Sequence, residues 1–308
     1  MKQYRFFLVL IFPLLTACTP KVQMTTDQLQ VPAAAQRIKA AKDSFKSKHI
    51  SSKDIPSALG GIVKSDNWTV YRDKQQEEFS GHVFYDNGTY TFKSDYALSE
   101  RAYHRLTAKG NVYLRQKETN GTTYEAYAHM ARFNYKTQQG TLQARNASTP
   151  VKLIYTPEKG TPITATAEKV TIDLAKQIYT LEGNVHVERT SPQGPQTLSA
   201  NKAIIKQAQD YVKLEGNASL SDGLRSLESD TIIYDGANNQ SYAYGARPLL
   251  HGSTEQGTFA IIADKVSSDA EGNLVILDGK VQGWFVSPQI NQVDFSKFNQ
   301  GLHYGTAQ

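Results

Sequence analysis

Seven histidines, a scatter of aspartates and a single cysteine are the residues of this 308-residue chain whose types could do chemistry. The histidines stand at positions 49, 82, 104, 129, 186, 251 and 303 and form no pair at helical or zinc-ligand spacing. His82 and His186 each lie next to a valine, on the polar parity of an alternating segment. Asp230, Asp235, Asp264 and Asp269 recur where segments end. Turn chemistry accounts for that placement better than a catalytic carboxylate pair. The chain has no Gly-x-Ser-x-Gly elbow, no phosphate loop and no cysteine set beside a base. It reads as a protein that is not an enzyme, with no metal site and no cofactor.

Cys18 has a different context. Lys2 and Arg5 precede an apolar run over residues 6–15, which is too short to span a bilayer as a helix. Leu15, Thr16, Ala17 and Cys18 follow, and this order resembles the bacterial lipobox. The resemblance implies a signal peptide over residues 1–17, lipidation of Cys18, and a membrane partner reached through that residue. Two or three acyl chains make such anchoring stable. Thr19 replaces the Asp associated with inner-membrane retention, so the outer membrane is favoured. Cys18 is the only cysteine, so no disulfide framework is possible. Residues 18–60 are polar and carry Lys39, Lys42, Lys46 and Lys48. They read as a short helical or disordered tether.

The elements that follow are strands. Over residues 178–189, Tyr179, Leu181, Val185 and Val187 share one parity, and Thr180, Glu182, Asn184, His186 and Glu188 share the other. A period of two is an amphipathic β-strand. Mid-strand sits a Gly183-Asn184 step, and glycine there marks a bulge, a bend or a close backbone approach. Comparable steps occur at Gly81, Gly110, Gly216 and Gly279, and weaker copies at Arg145 and Gly245 fill the two long gaps. Successive steps are then 29, 35, 38, 33, 29 and 34 residues apart, giving about seven units. Turn signals such as Asn87-Gly88, Asn120-Gly121 and Asp222-Gly223 separate the halves. The expected fold is all-β over residues 61–288, with a polar tail over 289–308. A net charge of +5 is compatible with an anionic partner, but no nucleic-acid signature accompanies it.

The units read apolar-Glu-Gly-Asn-Val-x-Val followed by Leu-x-Ala-x-x-Ala-x-Ile, best seen in Leu181 to Val187 with Leu198 to Ile205, and again from Leu214. In this they resemble the LptA/OstA/LptC family of lipopolysaccharide-transport proteins. The resemblance covers about residues 62–286. It implies an OstA-like β-jellyroll of stacked antiparallel strands, open like a taco, whose apolar interior holds the acyl chains of lipopolysaccharide. It also implies a periplasmic setting and end-to-end contacts with other transport proteins through edge strands. On this reading the inner, lipid-binding face comprises Val112, Leu114, Val170, Ile172, Leu181, Val185, Val187, Leu214, Leu220, Ile232, Ile262 and Leu277, with Val83, Val275, Val281 and Phe285 pointing the same way. Two departures stand out. An LptA-type chain lacks a lipobox, and an anchored LptC-type chain has a smaller jellyroll. The alternative is a structural envelope lipoprotein whose β-edges bind other proteins without carrying lipid.

Overall fold

A computed structural model describes residues 62–191, 194–254, 257–269 and 274–286. The expected signal peptide, the tether with Cys18 and the polar tail lie outside the described residues. Every regular element in the described residues is a strand, apart from single turns of 3-10 helix at Arg101–Tyr103 and Gln207–Gln209. No helix among them is long and apolar enough to cross a membrane. The all-β antiparallel class expected from the alternation is the one observed.

The chain divides into two units between Leu181 and Glu182, within one strand. The N-terminal unit holds β1 (Ile62–Lys64), β2 (Asn67–Tyr71), β3 (Gln76–Asp86), β4 (Tyr90–Glu100), β5 (Arg105–Lys117), β6 (Thr123–Asn134), β7 (Gln139–Gln143), β8 (Val151–Thr156), β9 (Ile163–Ala167), β10 (Lys169–Asp173) and the start of β11 (Ile178–Ser191). Strands β3 to β6 form a long antiparallel meander. Both β1 and β2 pair with β3, and both β7 and β8 pair with β6. Strand β9 continues from β8, and β10 from β7. Each long strand therefore serves two limbs, one on either side of a crease.

The C-terminal unit repeats the plan. It holds the rest of β11, then β12 (Gly194–Lys206), β13 (Tyr211–Ser221), β14 (Arg225–Asp235), β15 (Gln240–Tyr244), β16 (Leu249–Thr254), β17 (Gly257–Ile262), β18 (Lys265–Asp269), β19 (Val275–Asp278) and β20 (Gln282–Val286). Strands β12, β13 and β14 are the meander. Strand β14 splits to β15 and β16, which continue to β18 and β19, and to β17 and β20, respectively.

The crease has a local cause. The pairing of β4 with β5 skips register between Lys93–Tyr113 and Tyr96–Lys109, so β5 carries one extra residue there, at Gly110 and Asn111. Both of them have positive φ, +72° and +46°. That left-handed pair is a β-bulge that turns the strand. Gly81-His82, Gly183-Asn184, Gly216-Asn217 and Gly279-Lys280 share the conformation, and Gly245 does so with Ala246 and Arg247. The expected weak copy at Arg145 differs. There residues 144–150 leave the sheet as a loop, closed by Thr149 donating to Asn146 through its N–H and its hydroxyl. A glycine is what makes the left-handed step cheap, and Arg145 has none to offer. The expected turns form as Asx turns: Asn87 Oδ1 accepts from Thr89 and Tyr90, and Asp222 Oδ1 accepts from Leu224 and Arg225.

Candidate functional site

The site suggested by the sequence is a surface, the inner face of the creased sheet. In the N-terminal unit, cross-strand register arranges it in rows. Nearest the crease on the first limb are Val83, Val112 and Val151, all buried. Beyond them run Tyr85, Phe92, Leu114, Ala126, Leu153 and Ala165, side by side across five pairings. Farther still come Tyr90, Gln116, Tyr124, Tyr155 and Ile163. The second limb carries Phe79, Ala97, Ala108, Ala131, Leu142 and Val170 in one row, and Leu106, Phe133 and Ile172 in the next. The limbs meet near the crease, where Phe92 of the first packs on Phe79, Val83 and Ala97.

In the C-terminal unit the second limb aligns Ala203, Leu214, Ile232, Ala243, Val266 and Leu277. The first limb aligns Leu198, Leu220, Leu227, Leu250 and Ile261. Of these, Leu220, Leu227, Leu250, Ile261 and Leu277 are only half-buried.

Register therefore brings most of the expected inner-face residues onto common walls. Val112 and Leu114 lie on the first limb of the N-terminal unit, and Val170 and Ile172 on the second. Leu181 is fully buried at the end of that unit, and Val185 is buried and Val187 half-buried at the start of the next. Leu220 falls on the first limb of the C-terminal unit, and Leu214, Ile232 and Leu277 on the second. Ile262 does not belong with them. It pairs with Leu249 and Gln282, one residue out of step with Ile261, and so points to the opposite face. The apolar run from Phe259 to Ile262 has no polar residue to mark which parity is inside. Val275 and Phe285 stay exposed because, among the described residues, β19 and β20 each pair with a strand on one side only, and Val281, between those two strands, is exposed as well.

One set of positions was missed, although its signal lies in the sequence. An acidic or amide residue stands 15 residues before each of the six crease glycines: Asp66, Asp95, Glu168, Asn201, Asp230 and Asp264. It is the residue that faces the bulge. A Cβ placed on Gly81, Gly110, Gly216, Gly245 or Gly279 would come within 3 Å of that residue's side chain. The carboxylates then bond the second bulge residue, as in His82 to Asp66 at 2.8 Å and Asn111 to Asp95 at 2.9 Å.

The walls are electrically quiet. Burial pushes the Tyr124 phenol well above its usual range and the Tyr179 phenol up to about 12, so both stay neutral. Glu100, at the far end of the second limb from the crease, is buried but takes a hydrogen bond from Arg105 at 2.8 Å, which holds its carboxyl below the usual range. The histidines are spread: His82 bonds Asp66, His251 lies 3.2 Å from Glu228, and His104 packs edge-on against Tyr135. Among the described residues no three His, Cys, Asp or Glu side chains gather where a metal could be held.

Comparison with known proteins gives the walls a context. No curated protein matches this sequence. Among solved structures it is similar to LptH from Pseudomonas aeruginosa, described as the LptA homologous periplasmic component of the conserved lipopolysaccharide transport device. The two are 17% identical, over 43% of this chain and 86% of that one, with a TM-score of 0.33. Residues 124–229, which run from β6 into β14 and carry the central rows of both units, match the family described as "Lipopolysaccharide-assembly, LptC-related". That match spans about a third of the chain.

Proposed function

We propose that this protein is a lipid-anchored periplasmic carrier of lipopolysaccharide, which holds acyl chains against the inner walls of its creased sheet. The observation that carries the reading is that the family match over residues 124–229 falls on the strands whose inner rows are apolar and, in part, half-buried. A passing acyl chain gains roughly 0.8 kcal/mol per buried CH₂ on such a wall. The anchor is Cys18, with the outer membrane favoured. Among the described residues β2 and β20 each pair with one strand, β3 and β17, and carry the exposed Trp68 and Trp284, so their other sides serve for stacking on other transport proteins.

Photo-crosslinking amino acids at Leu114, Leu220 and Leu250 test the wall in cells. Adducts with lipopolysaccharide are expected. Adducts with protein alone would favour a structural lipoprotein that recruits partners through its edges. For the anchor, Cys18→Ala is expected to release the protein from membranes, and continued membrane association would refute lipidation as the tether.

A further inference from the structure

Gln116 breaks the apolar order of the inner wall. It sits between Tyr90 and Tyr124 in the row farthest from the crease, only 6% exposed. Its side-chain carbonyl oxygen Oε1 is shut off from solvent and accepts no hydrogen bond. A buried acceptor left unpaired costs free energy, so an arrangement that keeps one suggests a donor that arrives from outside. The neighbouring tyrosines do not supply it. Tyr124 is engaged with Glu118, and its ring lies against that of Tyr155 at 5.1 Å.

The order of rows says what would bring the donor. Moving away from the crease, the first limb carries Val83, Val112 and Val151 with the small buried Ser94 among them, then Phe92 and Leu114, and then the longer hydrogen-bonding side chain of Gln116. A fatty acyl group entering chain-end first meets the same sequence: hydrocarbon, then its linkage. The half-buried Tyr85, Phe92 and Leu114 leave that path partly open.

We propose that Gln116 Oε1 accepts a hydrogen bond from the N–H of an amide joining an acyl chain to its head group, so that the N-terminal unit takes amide-linked acyl chains in preference to ester-linked ones. An ester has no donor and leaves Oε1 unpaired. The inference rests on the reading that the inner walls hold acyl chains.

A pair of probes differing in one group tests it: N-(2-hydroxyethyl)hexadecanamide and its ester counterpart 2-hydroxyethyl hexadecanoate, each displacing a fluorescent fatty acid from the full chain. The amide is expected to bind about ten-fold more tightly, the value of one good hydrogen bond. N-methylation of the amide, which removes the donor, should abolish the advantage. Gln116→Met, similar in length and without the acceptor, should equalise amide and ester. Equal affinities in the unaltered chain, or a preference that survives in Gln116→Met or with the N-methyl amide, would overturn the proposal and leave the lipid reading standing. Failure of either probe to bind would overturn both.

Discussion

The two units share one plan and differ in how far they bury it. In the N-terminal unit the second-limb wall ends in large side chains with almost no exposure: Val170 and Ile172 are at 0% and 2%, and the buried Phe133 and Leu142 stand beside them. Among the described residues of the C-terminal unit the buried positions past Ile232 are Ala243, Pro248, Ala263 and Val266, and farther out Leu274, Val275, Ile276, Trp284 and Phe285 are all exposed. The crease is the same in both, a left-handed glycine against an acidic or amide side chain. The bend of the sheet and the closure of its inner face are therefore separate properties. The first is set at the bulge, and the second by the bulk that each limb brings to the middle.

Truncating the walls should sharpen the contrast most. Ile172→Ala is expected to cost about 3 kcal/mol, because it deletes a fully enclosed side chain and leaves a cavity. Leu277→Ala, half-buried on the second limb of the C-terminal unit, should cost about 1 kcal/mol. Urea midpoints check both, and equal losses would remove the distinction between the units.

The creases should behave alike. Gly110→Ala and Gly279→Ala each force a side chain into the left-handed region, at φ +72° in both cases, at a cost of about 1–2 kcal/mol. The new methyl also meets Asp95 or Asp264. Pairing Gly110→Ala with Asp95→Ala should recover part of the loss. Strict additivity in that double mutant would show that the carboxylate does not press on the bulge.

The smallest contrast is electrostatic. Glu100 and Glu215 both have carboxyls held below their ordinary value of 4.5, by hydrogen bonds from Arg105 and Lys213 respectively. A depressed carboxyl stabilises the fold above its unfolded value, and that contribution is lost as pH falls through the folded one. Glu100 is buried, whereas Glu215 is about a third exposed and its pair is screened by water. Glu100→Gln is expected to cost about 1–2 kcal/mol at pH 7 and to flatten the acid limb of the stability profile below pH 4.5. Glu215→Gln should cost under about 0.5 kcal/mol. A larger effect at Glu215 would reverse the assignment.

Much of this was legible in the chain. The alternation around Gly183-Asn184 named strands, and the spacing of the glycines named creases. The apolar parity placed Leu181, Leu214 and Ile232 on the inside. What escaped has physical reasons. The face of Ile262 was hidden because Phe259 to Ile262 is apolar on both parities. Asp230 and Asp264, opposite two of the bulges, looked like turn chemistry, because a cross-strand partner at 15 residues is invisible until register is known. Gln116 stands in an ordinary strand pattern, and nothing nearby in sequence says that its oxygen is closed off from water.

The sequence by itself determined where this chain extends, where it bends and which parity is greasy. Those are local properties, set by alternating side chains and by the left-handed freedom of glycine. The tertiary structure alone decided which greasy residues are covered. Leu277 and Phe285 carry the inner parity as clearly as Val170, but burial needs a neighbouring strand and an opposing limb. Only the folded pairing supplies those, fully in one unit and partly in the other.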